Sequence, residues 1–204
     1  MSTRANINTP EYWNAVYREE WESRRVESSN YHRDYGPIHD AIIQLIPDGS
    51  DVLDIACGPG ILCRKIKTRV PGAAVMGVDF SSYAIERDWE RDRSAGVEYR
   101  CLDIRHSLGM IRHQFDVVLM CEIIEHLDDP APVVREGMNL LKDGGLFIAS
   151  CPYGDQIPDR EHVTEWDHES LFRLLAPYGS AITFTHFPPP YFHVWMLAHL
   201  RKAR

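Results

Sequence analysis

Positive charge is scarce in this chain: 22 Lys and Arg face 30 Asp and Glu, a formal charge of -8 at pH 7. Phosphate contacts need clustered Lys and Arg, so a broad nucleic-acid-binding face is excluded and only local contact with RNA or a charged metabolite stays open. The basic clusters at 64–69 and 201–204 read as solvated surface. Cysteine is sparse and unpaired in pattern. The five thiols, at 57, 63, 101, 121 and 151, form no C-x-x-C and mostly sit in apolar runs, which points to reduced cysteines in a cytoplasmic protein. No apolar run reaches membrane-span length, and the opening MSTRANINTPEYW has no apolar core for a secretory signal. Repeats and low-complexity tracts are also missing. What is present fits one domain over residues 1–204, long enough to bury a core without disulfides or structural metal.

The first 50 residues read as helical. Thr9 can cap a helix with Pro10 at its first position, and Tyr12, Trp13, Tyr17 and Trp21 stripe that helix. A second helix is expected after Gly36-Pro37, carrying Ile38, Ile42, Leu45 and Ile46 until Pro47-Asp48-Gly49. From Asp51 strands and helices alternate: strands near 51–56, 74–79, 98–101, 115–121 and 144–151, helices near 60–68, 82–93 and 131–141. Alternation of this kind predicts βαβ units and a mostly parallel sheet covered on both faces. Asp167 then caps a helix with Leu171, Leu174 and Leu175. The tail segments 181–187 and 191–200, joined by Pro188-Pro189-Pro190, are too close for a helical crossover and predict an antiparallel pair at the sheet edge.

The most informative stretch is Val52-Leu53-Asp54-Ile55-Ala56-Cys57-Gly58-Pro59-Gly60. An apolar strand turns sharply through two glycines into a helix, which lets a ligand approach the backbone and the helix-terminal N–H groups. Cys63 stands where the dinucleotide fingerprint needs its third glycine, so a nicotinamide site is disfavoured. Asp79 ends the second strand 21 positions after Gly58, where an acid can accept from ribose hydroxyls, and Phe80 can pack on a base. Asp103 and Ile104 follow the third strand, and Cys121-Glu122 end the fourth.

In this order and spacing the set resembles the motifs of class I S-adenosylmethionine (SAM)-dependent methyltransferases across roughly residues 50–152. The resemblance implies a Rossmann-like α/β fold, with a mostly parallel seven-stranded sheet, a reversed last strand and helices on both faces. It implies SAM as cofactor, with Asp54, Ala56, Cys57, Gly58, Gly60 and Cys121 near the methionine moiety. Asp79 would then hold the ribose, with Phe80, Asp103 and Ile104 about the adenine. The layout expected is an N-terminal helical lid over 1–50, a SAM-binding core over 51–152, and an acceptor loop, helix and strand pair over 153–204.

A second constellation follows the fourth strand: Glu122-Ile123-Ile124-Glu125-His126. In a helical turn the two acids and the imidazole share one face at i, i+3 and i+4. They suit two chemistries, proton removal from a hydroxyl with His126 as base, or divalent-metal binding. With His162, before Thr164-Glu165-Trp166, the run resembles the small-RNA 3′-terminal 2′-O-methyltransferases, which implies Mg2+ or Mn2+ on Glu122, Glu125, His126 and His162 and an RNA end as acceptor. The E-H-L step equally resembles small-molecule O-methyltransferases, including ubiquinone-pathway enzymes, which implies a small acceptor and His126, Glu125 and His162 as catalytic candidates. A SAM-binding sensor or partner subunit without catalysis is a further alternative, against which the intact E-x-x-E-H run argues. Tyr31, His32 and Tyr35, and Tyr153, Asp155 and Asp159 in the later loop, are expected to line or select the acceptor.

Overall fold

A computed structural model of the chain describes residues 6–23, 29–92, 95–154, 159–179, 181–187 and 195–203, with the side chains of 29–34 and 88–89 outside that description. The expectations for Tyr31, His32, Asp155 and prolines 188–190 therefore fall outside the described residues.

Two helices, α1 (Pro10–Glu22) and α2 (Ser29–Leu45), precede β1 (Asp51–Ile55). Then come α3 (Ile61–Arg69), β2 (Ala74–Asp79), α4 (Ser82–Asp92), β3 (Val97–Cys101), α5 (Ile104–Ser107), β4 (Phe115–Cys121) and α6 (Ala131–Leu140). The chain closes with β5 (Leu141–Pro152), α7 (His168–Leu175), β6 (Thr183–Phe187) and β7 (Trp195–Arg201). One seven-stranded sheet has the order β3-β2-β1-β4-β5-β7-β6, and β7 runs antiparallel to both of its neighbours. The remaining neighbours pair in parallel. The expected reversed final strand is present, inserted between β5 and the edge strand β6.

Alternation along each strand builds two cores. Leu53 and Ile55 of β1 face α6 and α7 (Val133, Val134, Met138, Leu171, Leu175), with Phe147 fully buried among them. Val52 faces the other way, with Ile38 and Ile42 of α2 and Leu62 and Ile66 of α3. Each such side chain contributes roughly 2 kcal/mol of transfer free energy, which is why strands apolar on both faces settle at the centre of the sheet. Gly77 of β2 is required by close approach: a Cβ there would come within 2.8 Å of Cys57 Sγ and 2.9 Å of the Tyr99 ring. Its absence lets the turn after β1 lie directly on β2.

Two elements differ from the sequence-based expectation. Helix α2 does not start after Gly36-Pro37 but passes through them from Ser29. Pro37 stands inside α2 although it has no N–H to give the helical ladder. Strand β5 begins at Leu141, ahead of the strand expected near 144–151. Leu141 pairs with Phe115, the register then slips, and Leu146 pairs with Val117. Gly144, at φ +74°, carries the bulge.

Helix α1 lies against α4 rather than in the sheet layers. Thr9 caps it, accepting from Tyr12 N–H, and Pro10 occupies its first position as the sequence predicts. Its Asn14 Oδ1 accepts from Ser81 Oγ at 2.7 Å and from Tyr83 N–H at 3.1 Å, so a side chain of α1 caps the start of α4. Asn14→Ala is expected to cost about 1 kcal/mol. Urea unfolding read by tryptophan fluorescence would show this as a lower midpoint with an unchanged slope; an unchanged midpoint would contradict the capping role.

Candidate active site

The strand order reverses between β1 and β4, and their carboxyl ends open the crevice where ligands of such sheets bind. The turn after β1 is built from left-handed residues: Ala56 at φ +63°, Gly58 at +50° and Gly60 at +62°. Ala56 and Glu122 (φ +55°) are the non-glycine residues in this region among the described residues, and each costs on the order of 1 kcal/mol. Both stand at the ends of the two central strands, so the strain is concentrated at the crevice. A Cβ on Gly58 would meet Tyr17 Oη at 2.9 Å, so the α1 phenol rests on this turn.

Asp79, 2 % exposed, ties the turn down. Its Oδ2 accepts from Gly58 N–H at 3.0 Å and its Oδ1 from Ser81 N–H at 2.8 Å. Burial nevertheless raises its pKa to about 6, against the pull of those N–H groups. Asp54 is also buried; burial raises it to about 7, while a bond from Cys63 Sγ (3.3 Å) opposes the shift.

Two cavities flank this floor and share Trp13, Tyr17, Ala56, Glu122 and His126 as walls. One, of about 240 Å³, is lined by Phe80, Ile104, Ile123, Leu127 and Val133 together with Asn6, Asn8, Arg105, Asp128 and Asp129. The other, of about 400 Å³, holds Asp54, Cys57, Gly58, Cys121, Glu125 and His162. Of the residues the sequence assigned to the cofactor, Gly60, Asp79 and Asp103 line neither cavity. Asp103 instead caps α5 and is gripped by Arg105, through Nε at 2.9 Å and a second guanidinium nitrogen at 2.7 Å, which lowers its pKa. Arg105 itself lines the smaller cavity, its guanidinium 5.6 Å from the Phe80 ring centre. Tyr153 turns away from both cavities, toward His168 and His186.

Glu122, Glu125 and His126 do converge, but not on one helical face. Glu122 N–H still bonds Ser150 O at 2.9 Å, continuing the sheet, before its left-handed backbone redirects the chain into a 3-10 turn at Ile124–His126. Ser150 Oγ donates to Glu122 Oε1 at 2.6 Å. Burial raises Glu122 to about 8, and raises Glu125 well above the usual carboxylate range with the help of Glu122. His126 Nδ1 lies 3.1 Å from the carbonyl oxygen of Glu161. A carbonyl only accepts, so Nδ1 carries the proton and Nε2 presents a lone pair, 3.9 Å from Glu125 Oε1. Burial lowers His126 to about 3, with His162 adding to the effect. The imidazole therefore stays neutral across the physiological range, with less proton affinity than an unperturbed histidine.

Asn8 holds this arrangement together and carries no signal in the sequence. Its Nδ2 donates to Glu161 O (2.8 Å) and His126 O (3.2 Å), and its Oδ1 accepts from Trp13 Nε1 (3.0 Å). The Glu125 carbonyl accepts from Val163 N–H (2.8 Å) and Thr164 N–H (3.2 Å). The loop after β5 is thereby clamped to the 3-10 turn and to α1, where Tyr12 Oη donates to Glu161 Oε1. Among the described residues, Glu125, His126 and His162 offer ligand atoms all within 4.8 Å of one another. Glu122, the fourth residue expected there, is outside that group.

Residues 53–149 match the family described as "Methyltransferase domain". The matched stretch runs from β1 to β5 and contains the turn after β1. The Ubiquinone biosynthesis O-methyltransferase of Neisseria meningitidis serogroup C (strain 053442) is 37% identical over 106 residues, covering 50% of this chain and 44% of the relative. The match thus spans less than half the length of that relative. The N-methyltransferase NodS from Bradyrhizobium japonicum WM9, solved with S-adenosyl-l-homocysteine, superposes with a TM-score of 0.63 at 15% identity, over 89% of this chain and 87% of that one. A SAM dependent methyltransferase from Aquifex aeolicus gives 0.68 at 14%, over 88% and 96%. These two likenesses concern the fold.

The buried acids set a pH dependence. A carboxyl whose folded pKa is raised adds stability below its unfolded pKa and loses it as pH rises through the folded value. For Glu122 that window runs from 4.5 to about 8, and for Asp54 from 3.8 to about 7. His126, lowered from 6.5 to about 3, has the opposite slope but only below pH 6.5. Between pH 6.5 and 8 the carboxyls act alone, so the ligand-free protein should lose on the order of 1 kcal/mol. Thermal melts across that range should show a falling midpoint that Glu122→Gln flattens; a rising midpoint would contradict the buried-acid assignment.

Proposed function

We propose that this chain transfers the methyl group of SAM to a hydroxyl oxygen of a small-molecule acceptor. The observation that carries the reading is the His126 tautomer: a neutral, oriented Nε2 lone pair facing the cavity beside Glu125. The O-methyltransferase activity of the Neisseria relative supports oxygen as the acceptor atom. The smaller cavity and the left-handed turn fit the adenosine and methionine ends of the cofactor. When bound, SAM supplies a methyl group made electrophilic by its sulfonium. The chain's own share is alignment: the strained turn at Ala56 and Glu122 fixes the floor, and Trp13 and Tyr17 exclude water from above.

His126 Nε2 accepts the hydrogen of the acceptor hydroxyl and points an oxygen lone pair toward the transferred carbon. An oxygen that begins to bond carbon becomes far more acidic, so a base of low proton affinity can take the proton late in the step. Glu161, through its carbonyl on Nδ1, positions that ring. A cytoplasmic setting fits the five free thiols, and no described helix is long and apolar enough to cross a membrane.

A second reading follows from the Glu125, His126 and His162 group, whose neutral imidazole and carboxylate donors suit Mg2+ or Mn2+. A divalent cation held there would acidify the acceptor hydroxyl, and an RNA ribose end would then enter as a substrate. The acid-rich cavity disfavours a phosphate chain. Production of S-adenosylhomocysteine from SAM, measured on a panel of catechols, sugars and polyols, separates the readings. Turnover that survives excess chelator and falls at least about 100-fold in His126→Ala is expected. Turnover abolished by chelator would replace the metal-free reading with the cation-dependent one.

A further inference from the structure

Six acidic side chains line the larger cavity: Glu20, Asp54, Glu122, Glu125, Asp159 and Glu161. Among the described residues, no Lys or Arg lines it. Arg160 reaches Glu161 Oε1 at 3.8 Å, but from an exposed position outside the wall. The Oε2 atoms of Glu122, Glu125 and Glu161 are buried and lack hydrogen-bond partners, and Glu125 as a whole is 2 % exposed. A buried carboxyl oxygen without a hydrogen-bond partner is costly in either protonation state, which makes these three atoms a demand for a ligand. The rest of the wall includes the rings of Trp13, Tyr17, Tyr35 and Trp195. Carboxylates set among aromatic faces form the surroundings in which an organic cation is held. SAM brings one net positive charge, from sulfonium and ammonium against one carboxylate, so it leaves most of the acids unmatched.

We propose that the acceptor is an organic cation, a small hydroxylated molecule whose ammonium group is seated by Glu161 and Asp159 against the aromatic rings. The proposal rests on the methyl-transfer reading above. Tyr12 occupies Glu161 Oε1, which reserves Oε2 for the ligand. The Glu161 carbonyl holds the His126 ring, so the group that binds the ammonium is fixed relative to the group that receives the hydroxyl. A neutral acceptor would leave the orphaned oxygens unmatched, and an anionic one would be repelled.

The test uses protein saturated with S-adenosylhomocysteine in chelator, titrated calorimetrically with tyramine and with 4-ethylphenol. The two probes share an aromatic hydroxyl and differ in the ammonium group. Tyramine is expected to bind about tenfold more tightly, a preference lost in Glu161→Gln. Asp159→Asn, on an exposed residue, should reduce the preference without risk to folding. Equal binding of the two probes, or a preference unchanged in both variants, would overturn the proposal while leaving the transfer reading intact. Probe binding that appears only when Mg2+ is restored would also overturn it, by making the cavity's cation a metal. Failure of S-adenosylhomocysteine itself to bind would count against the transfer reading, and with it this one.

Discussion

The buried carboxylate of Asp79 is the constraint on which the rest of the site depends. It sits at the end of β2 and accepts from Gly58 N–H on one side and Ser81 N–H on the other. The first bond fixes the turn after β1 in its left-handed path. The second orders the entry to α4, where Ser81 Oγ and Tyr83 N–H meet Asn14 of α1. Through that contact α1 is held over the crevice, bringing Tyr17 onto Gly58 and the Trp13 ring to 5.3 Å from the His126 ring. One carboxyl group thus connects the sheet, the turn, the covering helix and the imidazole. Burying it raises its pKa, a cost its two backbone donors offset only in part.

The same physics explains the character of the crevice. Covering it with α1 and the loop after β5 removes water from Asp54, Glu122 and Glu125, and burial pushes all three upward. It pushes His126 downward for the same reason. In the empty protein the region is therefore closer to neutral than its acid count implies. A cation entering it would draw protons off the carboxyls and convert them to partners, whereas an anion would find no Lys or Arg on the wall among the described residues.

Much of this architecture was legible in the sequence because strands apolar on both faces and helices with one apolar stripe differ in period. Val52, Leu53 and Ile55, and the Val133, Val134 and Met138 stripe, announce their roles locally, and the two glycines at 58 and 60 announce the turn. Other features depend on contacts that no local pattern encodes. Asn8 reaches a carbonyl 118 positions away, and nothing in its neighbourhood signals that reach. Asp103 is expected beside the adenine, and the grip of Arg105 on its carboxylate is a contact its neighbourhood does not announce. The nearness of Glu122, Glu125 and His126 was readable from spacing, but not its geometry, since a left-handed glutamate is a conformation that only the packed strand end enforces. Pro37 shows the converse: the helix start expected after Gly36-Pro37 gives way to one at Ser29.

The central claim is the proposal that the smaller cavity and the turn at Ala56–Gly60 hold SAM. Calorimetric titration of the protein with S-adenosylhomocysteine tests it most directly. Saturable one-to-one binding, accompanied by a change in tryptophan fluorescence as Trp13 is covered, is the predicted result. No saturable binding by a protein whose melting shows it to be folded would contradict the account at its foundation.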